Sequence, residues 1–290
     1  MKTMHRPSSG VWGLTWVLLS GPLLWSIAFT LVPLAMLITF SFVERGPYGG
    51  IELTLSGESY RRAFEWLYLR IILRSIGLAL STTALCLGIG LPVAYTLASV
   101  PQRFKTPLLT LLILPSWITL LVRMYAWIIL LQDEGGINLL LMRVGITTEP
   151  LPLLYNTGAV LLGMVQGYLP FMALPIYVAF EKLDRALVEA SMDLGGSPAQ
   201  TFLRVVLPLI TPGIWAGVVL VFVPSLGEFI IPDLLGGGKT AFIGTLIAHE
   251  FLVTRDWPFG AALTTLLILV FAGGLWVCMR ARAPGLTVRR

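Results

Sequence analysis

Long apolar stretches alternate with shorter polar ones along most of the chain. About 20 helical residues cross the hydrocarbon layer of a membrane, and each stretch is long enough for one such helix. The first stretch contains no Asp, Glu, Lys or Arg from Pro7 through Val43. The pattern predicts six membrane spans: Leu14–Phe40, Ser75–Gln102, a span that starts near Pro107 and contains Arg123, Thr157–Phe180, Leu209–Ile231 and Trp257–Met279.

The connections between these spans differ in character. Residues 44–74 carry several arginines among apolar positions and are predicted to form an amphipathic helix that leads into the second span. Residues 132–156 are predicted to be a polar connection. Residues 233–256 are predicted to be a loop with some helical potential.

Glycines and prolines predict how the spans pack. Glycines four residues apart let helices approach closely in a membrane, and two pairs have this spacing, Gly163 with Gly167 and Gly213 with Gly217. Prolines predict that the fourth and fifth spans are broken or kinked. The four prolines concerned are Pro170, Pro175, Pro224 and Pro232. Backbone polar groups that a proline leaves without a hydrogen bond are tolerated in a membrane where they line a cavity. The prolines are therefore compatible with a translocation path.

A charged insert between the fourth and fifth spans, residues 181–208, is too polar to enter lipid. An apolar stripe at helical spacing predicts its first helix, with Leu183, Leu187, Ala190 and Leu194 on one face. Glu181 and Arg185 are expected to form an ion pair four residues apart on that helix.

The second half of the insert carries the signals of a tight helix–helix connection. Gly195 and Gly196 are expected to end the first helix, because glycine tolerates the left-handed conformation that a helix C-terminus needs. Ser197, followed by Pro198 and then Gln200, predicts a capping box that starts a second helix at once. Pro208 and Pro212 are expected to end that helix at about Leu207.

The spacing of small and charged residues in this insert is distinctive. Glu189-Ala190-Ser191 is followed by Gly195 after three residues, then by Val205 and Leu207-Pro208. This resembles the EAA loop of permeases in binding-protein-dependent ABC importers, with Ser191 in place of alanine and Val205 in place of isoleucine. The resemblance implies a loop that docks on a cytoplasmic ATPase and couples ATP hydrolysis to the membrane helices. The residues that would carry this coupling are Glu189, Ala190, Ser191, Asp193, Gly195, Gln200, Leu207 and Pro208.

The fold implied by this resemblance is an all-α integral membrane protein. It is a six-transmembrane-helix bundle of the type I ABC importer permeases with a cytoplasmic EAA coupling loop. The transmembrane domain is predicted to comprise residues 14–280 and the loop residues 181–208. A cytoplasmic lead, residues 1–13, and a basic tail, residues 281–290, flank this domain.

Composition and charge agree with a membrane protein and orient it. Of the 290 residues, 56% are hydrophobic and 12% are charged, and the mean hydropathy is +0.85. Soluble domains average about 25% charged residues. With six spans, both termini and the insert fall on one side, which carries eleven lysines and arginines against eight on the other. The excess places that side in the cytoplasm, and the resemblance implies that the membrane is the bacterial inner membrane.

Several other classes of function are excluded or disfavoured. Cys86 and Cys278 both lie within apolar spans, so no disulfide framework or metal site is predicted. Gly236-Gly237-Gly238-Lys239-Thr240 lacks the earlier glycine of a phosphate-binding loop and is interpreted as a flexible turn. No catalytic motif is present, so an enzyme is not expected. The pI is about 9.4. The lysines and arginines behind it mostly set the orientation of the chain in the membrane and do not indicate nucleic-acid binding.

Further stretches extend the resemblance to most of the chain. Residues 169–202, 224–237 and 254–263 resemble the permease subunits of spermidine/putrescine-type importers. Such a system implies two copies of an ATPase that uses ATP and Mg, a second homologous permease, a periplasmic or extracellular substrate-binding protein and a polyamine substrate. The permease itself binds no cofactor. Related permeases for opines, thiamine and iron share much of the pattern, and a passive channel is a further alternative.

Arg123 and Glu228 are the ionisable residues nearest lipid depth, and the candidates for the substrate pathway are Arg123, Tyr125, Trp127, Glu228 and Asp233, with the two acids at or near its outer half. A charge at the centre of a bilayer costs about 2.5–3.5 kcal/mol, so such residues face the bundle interior, a watery path or each other. Acidic residues suit a cationic solute, and aromatic faces attract ammonium groups. Alternatively, Arg123 and Glu228 form a structural ion pair or lie at the interface.

Overall fold

The computed structural model describes residues 9–47, 49–238 and 241–281, and side chains for residues 18–47, 49–238 and 241–274. Helices dominate the described part of the chain. In order, the elements are α1 (Ser9–Phe40), β1 (Val43–Arg45), β2 (Ile51–Leu55), α2 (Glu58–Ala63), α3 (Trp66–Ser99), α4 (Gln102–Ile113), a 3₁₀ turn (Leu114–Trp117), α5 (Leu120–Leu131), α6 (Gly136–Arg143), α7 (Thr157–Glu181), α8 (Arg185–Asp193), α9 (Pro198–Thr201), a π-helical turn (Phe202–Val206), α10 (Leu207–Gly227), α11 (Ile230–Gly236), α12 (Ile243–Leu252) and α13 (Trp257–Ala281).

The helices long and apolar enough to cross a membrane match the predicted spans. Five lie in the described residues: Leu18–Phe40, Trp66–Ser99, Thr157–Glu181, Pro198–Gly227 and Trp257–Gly274. A bent pair, Gln102–Trp117 with Leu120–Arg143, whose two parts meet at 90°, gives a sixth when it is counted as one span. Pro115 lies in the 3₁₀ turn at the bend, where its missing N–H favours an interruption of the helix.

The segment before the second span differs from its prediction. Residues 44–74 do not form one amphipathic helix, because β1 and β2 pair antiparallel, with Val43 opposite Leu55 and Arg45 opposite Ile51. Gly49 and Gly50 adopt φ of +88° and +84° between the strands, which glycine accommodates without a steric penalty. The short helix α2 follows, and α3 already begins at Trp66.

One compact unit comprises the described residues up to Phe64 together with Glu250–Leu266. Its polar centre is Asp256, which is 2% exposed. Arg62 Nη1 lies 2.8 Å and Arg45 Nη1 3.8 Å from Asp256 Oδ2. Asp256 Oδ1 accepts a hydrogen bond from the Phe259 N–H and so satisfies a donor in the first turn of α13. The guanidinium of Arg62 also lies over the Phe259 ring. These contacts join the hairpin and α2 to the start of α13.

The other compact unit contains Glu65–His249, and its centre is formed by α3, α7 and α10, which pack against one another. Its apolar core has two clusters. The first consists of Leu78, Met124, Leu131, Ala159, Val160, Met164, Ile231, Leu235 and Phe242. The second consists of Cys86, Ala94, Met172, Ile176, Phe180, Val206, Ile210 and Val221.

Glycines allow the close approach of α7 and α10 within this unit. A Cβ at Gly213 would lie 2.5 Å from the Ala179 Cβ and 2.7 Å from the Pro175 carbonyl oxygen. A Cβ at Gly217 would lie 2.7 Å from the Met172 Sδ. The predicted close packing at this glycine pair is therefore confirmed.

In the other predicted pair, Gly163 and Gly167, only Gly163 lies at a close helix–helix contact. A Cβ at Gly163 would lie 2.5 Å from Leu235 Cδ1, so α11 packs closely against α7 there. At Gly167 the nearest neighbouring atom would be 4.0 Å away, which is ordinary contact.

The predicted break is confirmed for the fifth span but not for the fourth, and it does not lie at a proline. The helix α7 continues through Pro170 and Pro175, and α10 continues through Pro212 and Pro224. The helical path instead breaks between α10 and α11, where Glu228 adopts extended backbone angles of φ −65° and ψ 129°. This break places an acidic residue at a non-helical position within the fifth span.

We expect Gly213→Ala to lower the thermal stability of the purified protein in detergent. The added Cβ meets backbone atoms that cannot rotate away, and such overpacking costs about 1–3 kcal/mol. Gly88→Ala in α3 is the matched control, since a Cβ there meets no atom within 4 Å. An unfolding midpoint for Gly213→Ala equal to that of Gly88→Ala would contradict the close packing of α7 and α10.

Candidate functional site

The first helix of the charged insert is shorter than predicted. Asp184 Oδ1 accepts a hydrogen bond from the Ala186 N–H, and this cap starts α8 at Arg185. The predicted ion pair between Glu181 and Arg185 is wrong, because Glu181 ends α7 and pairs with Lys105 Nζ instead. Leu183 precedes α8 and packs against the second core cluster. The apolar stripe on α8 and its C-cap is therefore Leu187, Ala190 and Leu194.

The glycine connection after α8 has the predicted geometry. Gly195 adopts a φ of +85°, and the Gly196 N–H donates to the Ser191 carbonyl oxygen over 3.0 Å. The capping box is also confirmed. The Gln200 N–H donates to Ser197 Oγ over 3.3 Å, and the Ser197 N–H donates to Gln200 Oε1 over 3.1 Å. Two short helices, α8 and α9, therefore meet at a fixed turn.

A hydroxyl pair ties these two helices together. Ser191 Oγ lies 3.0 Å from Thr201 Oγ1, and Thr201 is 3% exposed. Ser191 is the position at which the insert departs from the alanine of the EAA pattern. The hydroxyl that the substitution adds thus forms a contact between α8 and α9.

The second helix of the insert does not end at Leu207 as predicted. It continues through a π-helical turn into α10, so that Pro198–Gly227 forms one continuous helix. Proline normally clashes with the carbonyl four residues earlier in an α-helix. Pro208 lies two residues after the π-helical turn, and the residue four positions before it, Arg204, lies within that turn, whose wider hydrogen-bond spacing changes this geometry.

The surface of the insert is open on two sides. Glu189 and Asp193 are exposed, and Leu194 is 90% exposed. One groove of about 490 Å³ is lined by Leu187, Ala190, Ser191, Leu194, Gly195, Gly196, Gln200, Arg204 and Val205. A second pocket of about 370 Å³ is lined in part by Lys105, Glu181, Arg185 and Glu189. The first surface is largely apolar and the second carries both signs of charge, a combination that suits the docking of another protein.

Glu228 lies at the break between α10 and α11 and is partly buried. Its Oε1 accepts hydrogen bonds from the N–H groups of Ile230 and Ile231, over 3.0 Å and 3.4 Å, at the start of α11. Its Oε2 accepts the hydroxyl of Tyr168 over 3.0 Å. Among the residues that the structure describes, no Lys or Arg forms an ion pair with Glu228.

Arg123 and Glu228 are not brought together as an ion pair in the described part of the chain. Arg123 Nε and Nη1 are buried and have no hydrogen-bond partner there. Trp127 packs against the first core cluster, whereas Tyr125 is 57% exposed. Asp233 is exposed on α11. The five pathway candidates therefore occupy different environments, and Glu228 alone combines partial burial with several hydrogen bonds.

The glycine-rich stretch after α11 is only partly described. Gly237 and Gly238 adopt φ of +60° and +70° and lead out of the helix. Lys239 and Thr240 lie outside the described residues, as does most of the basic tail.

Comparison with known proteins identifies the family. Residues 9–279 match the family described as the binding-protein-dependent transport system inner membrane component. This chain belongs to that family. It is thus a multi-pass inner membrane permease of an ABC importer and a transport component rather than an enzyme.

Individual relatives of this permease cover nearly its whole length. It is 40% identical over 257 residues to the spermidine/putrescine transport system permease protein PotB of Escherichia coli (strain K12), which covers 89% of this chain and 94% of the relative. It is 38% identical to the PotB protein of Haemophilus influenzae over the same share of this chain and 90% of the relative.

A solved structure confirms the fold class predicted for this permease. A bacterial ABC transporter involved in the import of the acidic polysaccharide alginate contains a chain that superposes with a TM-score of 0.72. The match covers 92% of this chain and 95% of that chain at 17% identity. At this identity the likeness establishes the type I importer permease fold alone.

Three contacting residues of the permease were missed by reasoning from sequence: Tyr168, Lys105 and Thr201. Each touches a residue of the insert or of the pathway set that lies far along the chain or on another helix. Tyr168 and Lys105 lie 60 and 76 residues from their partners. Only the ionisable or hydroxyl character of these side chains near apolar spans could have drawn attention to them.

Proposed function

We propose that this chain is one permease subunit of an ATP-driven importer for polyamines such as putrescine and spermidine. The observation that carries the proposal is the 40% identity to PotB over 89% of this chain and 94% of the relative. The geometry of Glu228 supports it. Polyamines carry several ammonium groups at neutral pH, and the Glu228 carboxylate, which has no cationic partner among the described residues, attracts such a group in an apolar setting.

The assembly that this function needs extends beyond one chain. ATP and Mg are used by two copies of a cytoplasmic ATPase, which dock on the insert of residues 181–208. A second homologous permease completes the pathway, and a periplasmic or extracellular binding protein delivers the polyamine. Both termini lie in the cytoplasm, so the exposed surface around Glu189 and Leu194 faces the ATPase. The excess of basic residues on that side supports this orientation.

Reconstitution of the four components in liposomes tests the proposal directly. We expect labelled putrescine or spermidine to accumulate against its gradient only when ATP, the ATPase and the binding protein are all present. Thiamine and ferric iron serve as competing cargos. Accumulation of one of these without polyamine uptake would contradict the substrate, and uptake that persists without the ATPase would indicate a passive channel.

A further inference from the structure

The carboxylate of Glu228 is held by contacts on both oxygens. Oε1 accepts two backbone N–H groups of α11 and is fully occupied as a cap. Oε2 accepts the Tyr168 hydroxyl, which leaves further acceptor capacity on that oxygen. The open acceptor site of Glu228 is therefore on the oxygen that Tyr168 orients.

Tyr168 is itself rigidly placed. It is the twelfth of the 25 residues of α7, about 17 Å from the start of that helix at 1.5 Å per residue. Its ring packs against both core clusters of the unit. The hydroxyl thus lies near the middle of a membrane span on a side chain with little freedom to move.

The backbone at Glu228 is supported separately. A Cβ at Gly244 in the first turn of α12 would lie 2.5 Å from the Glu228 carbonyl oxygen and 2.7 Å from that of Gly227. The main chain of the break therefore packs directly against α12. Because α12 packs against the main chain of Glu228 and Tyr168 binds its carboxylate, the orientation of Oε2 is fixed.

We propose that Tyr168 is a positioning residue for the transported cation. Its hydroxyl orients Glu228 Oε2 so that the carboxylate accepts one ammonium group of the cargo near the middle of the membrane. Charge-assisted hydrogen bonds depend strongly on distance and angle, so a carboxylate that rotates freely binds the ammonium group less well. This inference rests on the proposed transport of a polyamine and identifies Tyr168 as the residue that orients the Glu228 carboxylate.

Tyr168→Phe in the complete reconstituted importer tests the proposal. The ring and its packing remain, and only the hydroxyl is lost. We expect the amount of labelled spermidine transported per ATP hydrolysed to fall about tenfold, the size of effect for losing one hydrogen bond to a charged group. ATPase activity stimulated by the binding protein should stay within about twofold of wild type, since the ATPase-docking insert is untouched.

Tyr177→Phe on the same helix is the matched control, because Tyr177 packs against the second core cluster alone. A ratio of transport to ATP hydrolysis for Tyr168→Phe equal to that of Tyr177→Phe would overturn the positioning role. A parallel loss of transport and ATPase activity in Tyr168→Phe would also overturn this role, because it would indicate a structural defect.

A double variant separates positioning from packing. In a Glu228→Gln background there is no charged carboxylate to orient, so adding Tyr168→Phe should change the transport ratio by less than about twofold. A further tenfold loss in that background would show that Tyr168 acts independently of Glu228 and would overturn the inference. If the wild-type complex moves no polyamine at all, the substrate proposal fails first, and the two failures are thereby distinguished.

Discussion

Glu189→Lys is expected to lower ATP-driven uptake strongly while the protein still inserts in the membrane and folds. Glu189 is exposed on α8 and borders the pocket that also contains Lys105 and Arg185. Reversing its charge adds a third positive group to the surface that docks on the ATPase in the proposed assembly, and unfavourable charge pairs at an interface cost several kcal/mol. We expect uptake in reconstituted liposomes to fall more than about tenfold, with weaker binding of the ATPase to the permease.

Glu149→Lys provides the matched control for this charge reversal. Glu149 is exposed in the connection between α6 and α7, on the side predicted to face away from the cytoplasm. Its reversal should leave ATPase binding unchanged. Full uptake by Glu189→Lys, at expression equal to wild type, would reject the coupling role of the insert.

Glu228→Gln is expected to reduce polyamine transport at least about tenfold without loss of assembly. Glutamine has nearly the same shape and still offers an oxygen to the N–H groups of α11, so the cap can persist. The negative charge is lost, and with it the attraction for an ammonium group, which is strong where the effective dielectric constant is low. The measurement is spermidine transported per ATP hydrolysed, together with co-purification of the ATPase.

Asp233→Asn removes the same charge from an exposed position on α11 and serves as the comparison. Its effect should be smaller, because an exposed carboxylate interacts through water and is screened by salt. If Glu228→Gln transports polyamine as wild type does, Glu228 acts only as the cap of α11 and the pathway must use other groups.

Features determined by neighbouring residues could be predicted from the sequence. The spans follow from apolar stretches longer than the membrane is thick, and Ser197 with Gln200 forms a capping box because both partners lie within one helical turn. Gly195 adopts its positive φ for the same local reason. These signals need no knowledge of the rest of the chain.

Features that depend on contacts across the fold could not be predicted. Glu181 has Arg185 four residues away, yet it pairs with Lys105 because the helix ends at Glu181. Pro208 was expected to stop a helix, but the π-helical turn before it changes the backbone geometry. The contact of Tyr168 with Glu228 joins different spans, so no periodic pattern reveals it.

The continuous helix from Pro198 to Gly227 has a mechanical consequence. It contains 30 residues and thus spans about 45 Å, with one end in the insert and the other end next to Glu228. If the helix stays straight, a tilt of about 5° about one end displaces the other end by about 4 Å. In the proposed importer, a small movement of the ATPase at the insert would therefore be large enough to break the hydrogen bond between Tyr168 and Glu228.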